Sequence, residues 1–266
     1  MNIKTQIIAT LGPSSGKEEM IASLVENGAS AIRLNFSWGD LEEKRKWIDM
    51  VREVEKKLSR KVSIIADVPG PRIQEGMGHT YDVDTESSIT EQDKAFIRFA
   101  VESAVDYVAL SFVGSADDVV ACKKIIAEHD SKTKVIAKIE RRKAVQSIDP
   151  IIEAADALMI ARGDLGNEIA LETIPSIEAD IIRKAKLAGK AVITATGLLF
   201  SMTEHTVPTR AEVTDVAYAV SLGSDALMLS DETASGKYPS ESVVMMKKII
   251  SETEKRVSPD IHYHPL

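Results

Sequence analysis

The sequence contains a single cysteine, Cys122, in 266 residues. One thiol cannot form a disulfide within the chain, and it cannot supply the several thiolates of a metal cluster. The residues before it, Val119, Val120 and Ala121, indicate the apolar face of a helix. We therefore expect Cys122 to be a buried structural residue rather than a nucleophile.

Long apolar runs and an excess of positive charge are also missing. No apolar stretch approaches the ~18 residues that a membrane-spanning helix needs. Acidic residues number 41 and basic residues 33, which gives a formal net charge of −8. We expect no membrane partner and no nucleic-acid partner, because anionic lipids and phosphates repel an acidic surface. Residues 1–4 lead directly into an apolar segment without a secretion signal, which predicts a cytoplasmic protein.

The residues that are present follow a regular alternation. Hydrophobic residues make up 44% and charged residues 28% of the chain, as in globular proteins. Apolar, β-branched runs alternate with longer segments of helical period, the pattern of a parallel sheet covered by helices. Eight such units, starting with a strand and ending with a helix, predict an α/β fold, a (β/α)8 TIM barrel that forms a single domain over residues 1–266.

Cap and turn residues set the predicted boundaries. Thr90 with Asp93 is typical of a helix start, Gly28 and Gly223 of helix ends, and Pro150 predicts a distorted fifth helix. The strands are predicted at Thr5–Thr10, Ser30–Asn35, Val62–Asp67, Asp106–Phe112, Val135–Glu140, Ala157–Arg162, Ala191–Thr196 and Asp225–Ser230. The helices are predicted at Lys17–Asn27, Leu41–Leu58, Glu91–Ser103, Ala116–Glu128, Arg142–Glu153, Glu178–Leu187, Arg210–Leu222 and Ser240–Arg256.

One connection is long and irregular, from Gln74 to Ser88 after the third strand. Loops of this length in a compact barrel are usually functional or mobile. This loop leaves from the carboxyl end of the barrel, where active sites of such barrels lie. Its His79 and Tyr81 are therefore candidates for shaping a substrate pocket.

Charged side chains collect where the predicted strands end. Lys138 and Glu140 end the fifth strand and Asp164 follows the sixth, so parallel strands bring one ammonium beside two carboxylates. Carboxylate oxygens suit Mg2+ or Mn2+, and the lysine can face negative charge that develops on a substrate oxygen. The alternative is a purely structural ion cluster, and the other polar strand ends weigh against it. These are Arg33, Asn35, Ser37, Asp67, Ser111, Arg162, Gly163, Thr196 and Ser230–Glu232.

The same set indicates the kind of ligand. Gly163–Gly166 predicts a turn into a short helix whose free N–H groups can grip a carboxylate or phosphate, and Thr196 adds a hydroxyl. Lys138 and Arg33 bracket the remaining negative charge, one as a point charge and the other as a planar fork. Together these residues predict a site for a small dianion that chelates a metal, with a lysine that stabilises an enolate.

Six motifs in this order resemble the pyruvate kinase family, over essentially the whole chain: Ile32–Ser37, Ala137–Glu140, Ile160–Gly166, Ile193–Thr196, Pro208–Glu212 and Met228–Ala234. The resemblance implies that Glu140 and Asp164 bind the divalent metal and that Lys138 stabilises the enolate. The resemblance also implies that the substrate is contacted by Arg33, Gly163, Asp164 and Thr196. The positions that match monovalent-cation ligands of the family are Asn35, Ser37 and Asp67.

The chain also departs from the family pattern. The family has a lid domain of roughly a hundred residues at the position of the loop 74–88, and a C-terminal regulatory domain after the last helix. Because the family's subunit contacts partly use that C-terminal domain, the resemblance does not predict a tetramer for this chain. A homo-oligomer is left open. Trp38 replaces a histidine, Pro69 a lysine and Gln74 an arginine that meets nucleotide phosphates. Arg72 replaces a glutamate, at a position where potassium-independent members carry lysine. We expect Arg72 to lie at the substrate site and K+ not to be required.

Further differences alter the pocket wall, since Gly197 and Arg141 replace a glutamine and an asparagine. Trp38 either shapes a second-substrate site or packs where the lid would lie. Losing charged contacts, each worth about 1.5–3 kcal/mol, should weaken nucleotide binding. The leading hypothesis is therefore a metal-dependent enzyme on pyruvate, phosphoenolpyruvate or a related 2-oxo acid, acting without nucleotide as a C–C lyase, a decarboxylase or on an enol phosphate. The alternatives are a genuine pyruvate kinase and a non-catalytic phosphoenolpyruvate-binding regulator.

Overall fold

Eight parallel strands close into a barrel in the computed structural model, which describes residues 3–75, 78–80, 88–129, 131–257 and 263–266. The predicted α/β class and (β/α)8 TIM barrel are confirmed. The barrel strands are β1 Gln6–Leu11, β2 Ala29–Asn35, β3 Ser63–Val68, β6 Tyr107–Leu110, β7 Lys134–Ile139, β8 Ala157–Ala161, β9 Ala191–Ala195 and β10 Ala226–Leu229. They follow this order around the barrel, and β10 pairs with β1.

Helices cover the outside of the barrel. The α-helices are α1 Glu18–Asn27, α2 Leu41–Leu58, α3 Glu91–Glu102, α4 Ala116–Ala127, α5 Arg142–Gln146, α6 Ile148–Ala154, α7 Arg162–Glu168, α8 Ile174–Leu187, α9 Arg210–Leu222, α10 Asp231–Ala234 and α11 Pro239–Glu254. Leu171–Thr173 and Phe200–Thr203 form 3-10 turns. None of the helices in the described ranges is both long and apolar enough to cross a membrane.

Most residues on both faces of the barrel strands are buried, which explains why the strands form nearly continuous apolar runs in the sequence. Ile7 and Ala9 of β1 pack in the layer between strands and helices, whereas Ile8 points into the barrel interior. Ile65, Ile136 and similar residues of the other strands fill the same interior. The interior is therefore a packed core, and chemistry is confined to the strand ends.

Local signals set several element boundaries as predicted. Thr90 and Asp93 form a reciprocal capping box at the start of α3, and Gly28 and Gly223 follow the ends of α1 and α9. The predicted fifth helix is divided into α5 and α6. Pro150 has no N–H to donate to the carbonyl of Gln146, so the first piece stops there.

The structure corrects other predicted boundaries. The segment after β3, predicted to be irregular from residue 74, begins with an antiparallel hairpin, β4 Ile73–Glu75 and β5 Gly78–Thr80. The fourth barrel strand ends at Leu110 rather than Phe112, because Phe112 has a positive φ of 58° that a strand cannot accommodate. Residues 76, 77 and 81–87 lie outside the described residues.

The single cysteine lies in α4 and is fully buried. Burial raises the pKa of the Cys122 thiol to about 12. A thiol with such a pKa supplies almost no thiolate near neutral pH. The predicted burial of Cys122 is confirmed.

Asp225 ties the amino-terminal ends of two strands to the chain terminus. Its buried carboxylate accepts hydrogen bonds from the Val192 N–H at 2.9 Å, the Lys186 ammonium at 2.6 Å and the His264 N–H at 2.5 Å. We predict that Asp225→Ala lowers the free energy of unfolding in urea by about 3 kcal/mol, because buried donors are left without partners.

The control for this variant is Asp180→Ala, which removes an exposed carboxylate paired with Arg183. This change should cost less than about 0.5 kcal/mol. Equal losses in the two variants would contradict the role given to Asp225.

Candidate active site

The predicted site residues lie at the carboxyl ends of neighbouring strands. Arg33 and Asn35 come from β2, Asp67 from β3 and Lys138 from β7, and Glu140 directly follows β7. Asn35 is level with Asp67 in the β2–β3 pairing. The parallel register therefore places these side chains at one mouth of the barrel, as predicted.

The ammonium of Lys138 is the centre of the site and is almost fully buried, with 4% of the residue exposed. It donates hydrogen bonds to Asp67 Oδ1 at 3.0 Å and to Ser111 Oγ at 2.7 Å. Glu140 Oε1 lies 2.8 Å from the same nitrogen as an ion pair. Two carboxylates and a hydroxyl thus fix one buried cation.

Asp67 is the anion that joins the two cations of the site. Its Oδ2 accepts a hydrogen bond from Arg33 Nε at 2.6 Å, and its Oδ1 faces Lys138. Burial raises the pKa of Asp67, but the charges of Arg33 and Lys138 and the Arg33 hydrogen bond outweigh burial and lower the pKa from 3.8 to about 2. Asp67 therefore carries its charge at any physiological pH.

Glu140 is held from behind by the backbone. Its Oε2 accepts a hydrogen bond from the Phe112 N–H at 2.8 Å, and the residue is fully buried. Phe112 adopts a left-handed conformation, which is rare for an aromatic residue. The partner of Glu140 Oε1 among the described residues is the Lys138 ammonium, 2.8 Å away as an ion pair.

The carboxylate pair fits the hard-oxygen chemistry of a divalent metal. Asp164 lies in the first turn of α7, which follows β8, and β8 pairs directly with β7, the strand that precedes Glu140. The buried Glu140 Oε1 is an acceptor that a cation can complete. Among the described residues no group of three or more His, Cys, Asp and Glu side chains is arranged to hold a metal ion.

Gly163 and Thr196, which belong to different strand ends, lie close together. A Cβ on Gly163 would lie only 2.8 Å from Thr196 Cγ2, so a larger residue would displace the threonine. Thr196 has a positive φ of 76°. The predicted turn into a short helix is present as α7, although Gly163 lies inside its first turn rather than before it.

Arg72 also reaches the site. Its guanidinium lies 5.3 Å from the centre of the Phe112 ring, and its Nε donates a hydrogen bond to the Pro69 carbonyl at 2.9 Å. Its charge is one of the causes of the low pKa of Asp67. Arg72 is therefore close enough to Asp67 to act on it electrostatically.

The three positions matched to a monovalent-cation site are only partly preorganised. Asn35 Oδ1 accepts a hydrogen bond from the Ser37 N–H at 3.0 Å. The buried hydroxyl of Ser37 has no hydrogen-bond partner within the described ranges. Asp67 is already engaged by Arg33, Lys138 and Ser111, so its oxygens are occupied by donors.

Residues that differ from the family pattern lie around the mouth of the barrel. Trp38 is 47% exposed, so it is not packed into the core. Arg141 is buried, and its Nε lies 3.8 Å from Glu168 Oε1. The side chain of His79 and the whole of Tyr81 lie outside the described residues.

Two residues that contact a strand-end arginine lie in helices, so the rule that active-site residues lie at strand ends does not identify them. Asp215 in α9 and Glu178 in α8 both contact Arg162, which is itself a strand-end residue. Arg162, which the sequence places among the polar strand ends, is engaged by these helix carboxylates. The sequence signal for both is a carboxylate on an otherwise apolar helix face, because such a carboxylate needs a buried partner.

Comparison with known proteins gives consistent matches. A family model described as "Pyruvate kinase, barrel domain" matches residues 2–87 and 77–243. A protein named pyruvate kinase from Thermococcus litoralis is 38% identical over 332 residues, covering 95% of this chain and 70% of the relative. The pyruvate kinase of Geobacillus stearothermophilus is 35% identical (96% of this chain, 58% of the relative) and that of Thermotoga maritima is 32% identical (95% and 72%). The chain thus spans 58–72% of the length of these relatives.

The low pKa of Asp67 predicts how the site contributes to stability. Because the folded pKa is below the ordinary value, the contribution is complete above about pH 5 and is lost as the pH falls from about 4 to about 2. A shift of this size corresponds to ~2 kcal/mol. We predict that the difference in unfolding free energy between wild type and Asp67→Asn is about 1 kcal/mol smaller at pH 3 than at pH 6.

Urea denaturation at a series of pH values measures this difference. Ser242→Ala is the control, because it removes a buried hydroxyl that donates to the Tyr238 carbonyl and contacts no titrating group in any described hydrogen bond, so its cost should not change over this range. A pH-independent cost for Asp67→Asn would contradict the assignment.

Proposed function

Because the chain belongs to the pyruvate kinase family, we propose that it is a divalent-metal-dependent enzyme that binds phosphoenolpyruvate or pyruvate and stabilises the enolate. The observation that carries the proposal is the buried ammonium of Lys138, held at the barrel mouth by Asp67, Ser111 and Glu140. A cation in a dry, preorganised site stabilises a developing oxyanion far better than a cation in water.

Each protein group has a role in this proposal. Lys138 faces the enolate oxygen, and Asp67 keeps the ammonium in place when a ligand enters. Arg33, whose Nη1 also lies 3.3 Å from Thr10 Oγ1, faces the phosphate or carboxylate of the substrate. Gly163, Asp164 and Thr196 would contact the carboxylate end, and the Thr196 hydroxyl can donate a hydrogen bond to it.

Glu140 and Asp164 would hold Mg2+ or Mn2+, which supplies positive charge to neutralise a chelating 2-oxo acid. The Phe112 N–H fixes one oxygen of Glu140 and leaves Oε1 facing the site. Since Oε1 is buried and already lies beside Lys138, the carboxylate needs little rearrangement to serve as a ligand.

Two complete reactions are consistent with this core. The names of the relatives favour phosphoryl transfer from phosphoenolpyruvate to ADP, which the sequence analysis placed second. The second candidate is chemistry on the enolate without nucleotide, as in a lyase or a decarboxylase. It is favoured by Trp38, Pro69 and Gln74, which stand where the resemblance implies cationic or imidazole contacts to nucleotide.

We also propose that the connection 74–88 replaces the lid domain of the family. The alignment with the Thermococcus litoralis protein runs over 332 residues, more than the 266 of this chain, so the relative has an insertion. The two segments of this chain that match the family model overlap over residues 77–87. Asp93 accepts a hydrogen bond from the Gly70 N–H and Asp118 from the Ser88 N–H, which anchors both ends of this region.

Proton exchange tests the enolate proposal independently of the second substrate. In deuterated water with Mg2+ or Mn2+, the protein should exchange the methyl protons of pyruvate, as followed by NMR. Lys138→Met and Glu140→Gln should each reduce the rate by at least about a hundredfold, since each removes a charge that acts in the transition state.

The outcomes separate the candidate functions. Exchange together with ATP formation from phosphoenolpyruvate and ADP identifies the kinase, and exchange without ATP formation favours the second candidate. Tight phosphoenolpyruvate binding with no exchange would reject both enzymatic candidates and favour a regulator.

Arg72 leads to a proposal about monovalent cations. Its fixed charge acts on Asp67, so we propose that it substitutes for K+. We predict that wild-type exchange is equal in potassium and tetramethylammonium salts, whereas Arg72→Glu requires K+ and is stimulated at least about tenfold by it, because the cationic charge must then be supplied from solution. The matched control is Arg98→Glu, the same charge reversal at an exposed position of α3. A K+ requirement in the wild type would contradict the proposal.

A further inference from the structure

We propose that Arg162 and Asp215 are positioning residues for Thr196. Arg162 binds Asp215 with its two terminal nitrogens and donates a hydrogen bond to the Thr196 carbonyl. This bridge holds Thr196 in a strained conformation that presents its hydroxyl at the barrel mouth. The link to catalysis rests on the proposed function, in which Thr196 contacts the substrate carboxylate.

The backbone of Thr196 needs external support. Its φ of 76° lies in the left-handed region, which is unfavourable for a β-branched residue. Such a conformation persists only where surrounding contacts determine it, and it often occurs at a functional site. The next residue, Gly197, also has a positive φ of 74°, so the whole turn after β9 departs from the strand direction.

The contacts of Arg162 provide that support. Its Nη1 lies 2.7 Å from Asp215 Oδ1 and its Nη2 lies 2.6 Å from Asp215 Oδ2, the geometry of a two-pronged ion pair. The same Nη2 donates to the Thr196 carbonyl at 3.0 Å. The side chain of Arg162 is only 12% exposed, so little solvent competes for these bonds.

The residue after Arg162 restrains Thr196 from the other side. Gly163 leaves just enough space for the Thr196 methyl group, since an added Cβ would lie 2.8 Å from Cγ2. Consecutive residues at the start of α7 thus fix the carbonyl and the methyl of one threonine. Its hydroxyl is the remaining functional group of the side chain.

The helix layer completes the bridge. Buried Glu178 of α8 lies 3.4 Å from Arg162 Nη1 and accepts a hydrogen bond from the Thr194 hydroxyl at 3.0 Å. Arg162 therefore connects two outer helices to the loop after β9. Lysine in its place has a single ammonium and cannot reproduce the fork.

The chain contains a matched construction far from the active site. Arg52 donates hydrogen bonds to Asp106 Oδ2 at 2.9 Å and to the carbonyl of Ala104 at 3.1 Å, and Ala104 also has a positive φ, 52°. Asp106 directly precedes β6, at the amino-terminal end of the strands. A substitution of Asp106 therefore removes an ion pair like that of Asp215, but at the end of the barrel opposite to the proposed active site.

The experiment compares Asp215→Asn with Asp106→Asn. For each variant we would measure pyruvate methyl exchange, Mn2+ affinity by electron paramagnetic resonance, and the NMR signal of the Thr196 methyl in protein labelled at threonine methyl groups. Asp215→Asn should shift the Thr196 signal and reduce exchange at least about tenfold, since small misplacements of a positioning group are costly. Mn2+ affinity should stay within about twofold, because neither Glu140 nor Asp164 contacts Asp215 in any described hydrogen bond.

Asp106→Asn should leave the Thr196 signal and the exchange rate unchanged. Equal effects of the two variants, or an unchanged Thr196 signal in Asp215→Asn, would overturn the inference. If the wild type shows no exchange, the proposed function fails, whereas the methyl signals still decide whether Asp215 positions Thr196.

Discussion

The burial of the Lys138 ammonium is the constraint on which the site depends. A charge removed from water costs several kcal/mol unless anions and hydrogen-bond acceptors replace the water. Here Asp67, Ser111 and Glu140 supply them, from the ends of β3, β6 and β7. The strands must therefore end in fixed register, and the closed barrel provides that register. Glu140 Oε1 is buried beside the ammonium at 2.8 Å, so two buried carboxylates and one buried cation share a single end of the barrel.

Two of the four non-glycine residues with positive φ in the described ranges follow strands at the barrel mouth. Phe112 and Thr196 both follow barrel strands and both have left-handed φ values. The first aims its N–H at Glu140, and the second is held by Arg162. Strain of this kind is maintained by the packing around it and tends to mark sites where geometry serves chemistry. The rigid barrel thus stabilises conformations at its mouth that an isolated loop would not adopt.

Most of the fold could be predicted from the sequence because both strands and helices follow hydrophobic period and cap residues. The bounds of α2 and α9 agree fully, and Lys138, Glu140 and Asp67 could be placed because strand ends meet at one mouth. The φ of Phe112 could not be predicted, since it depends on a tertiary hydrogen bond. The role of Asp215 was missed because a helix residue reaches the site only through Arg162. The reaction cannot be predicted from the residues alone, because a buried ammonium would stabilise an enolate in phosphoryl transfer and in C–C bond cleavage alike.

The most direct test of the central claim is a crystal soaked with Mn2+ and oxalate, a mimic of the enolate. We predict an anomalous Mn2+ peak bound by Glu140 and Asp164, with an oxalate oxygen facing the ammonium of Lys138 and the other end near Gly163 and Thr196. Absence of Mn2+ from these carboxylates while oxalate binds elsewhere would contradict it.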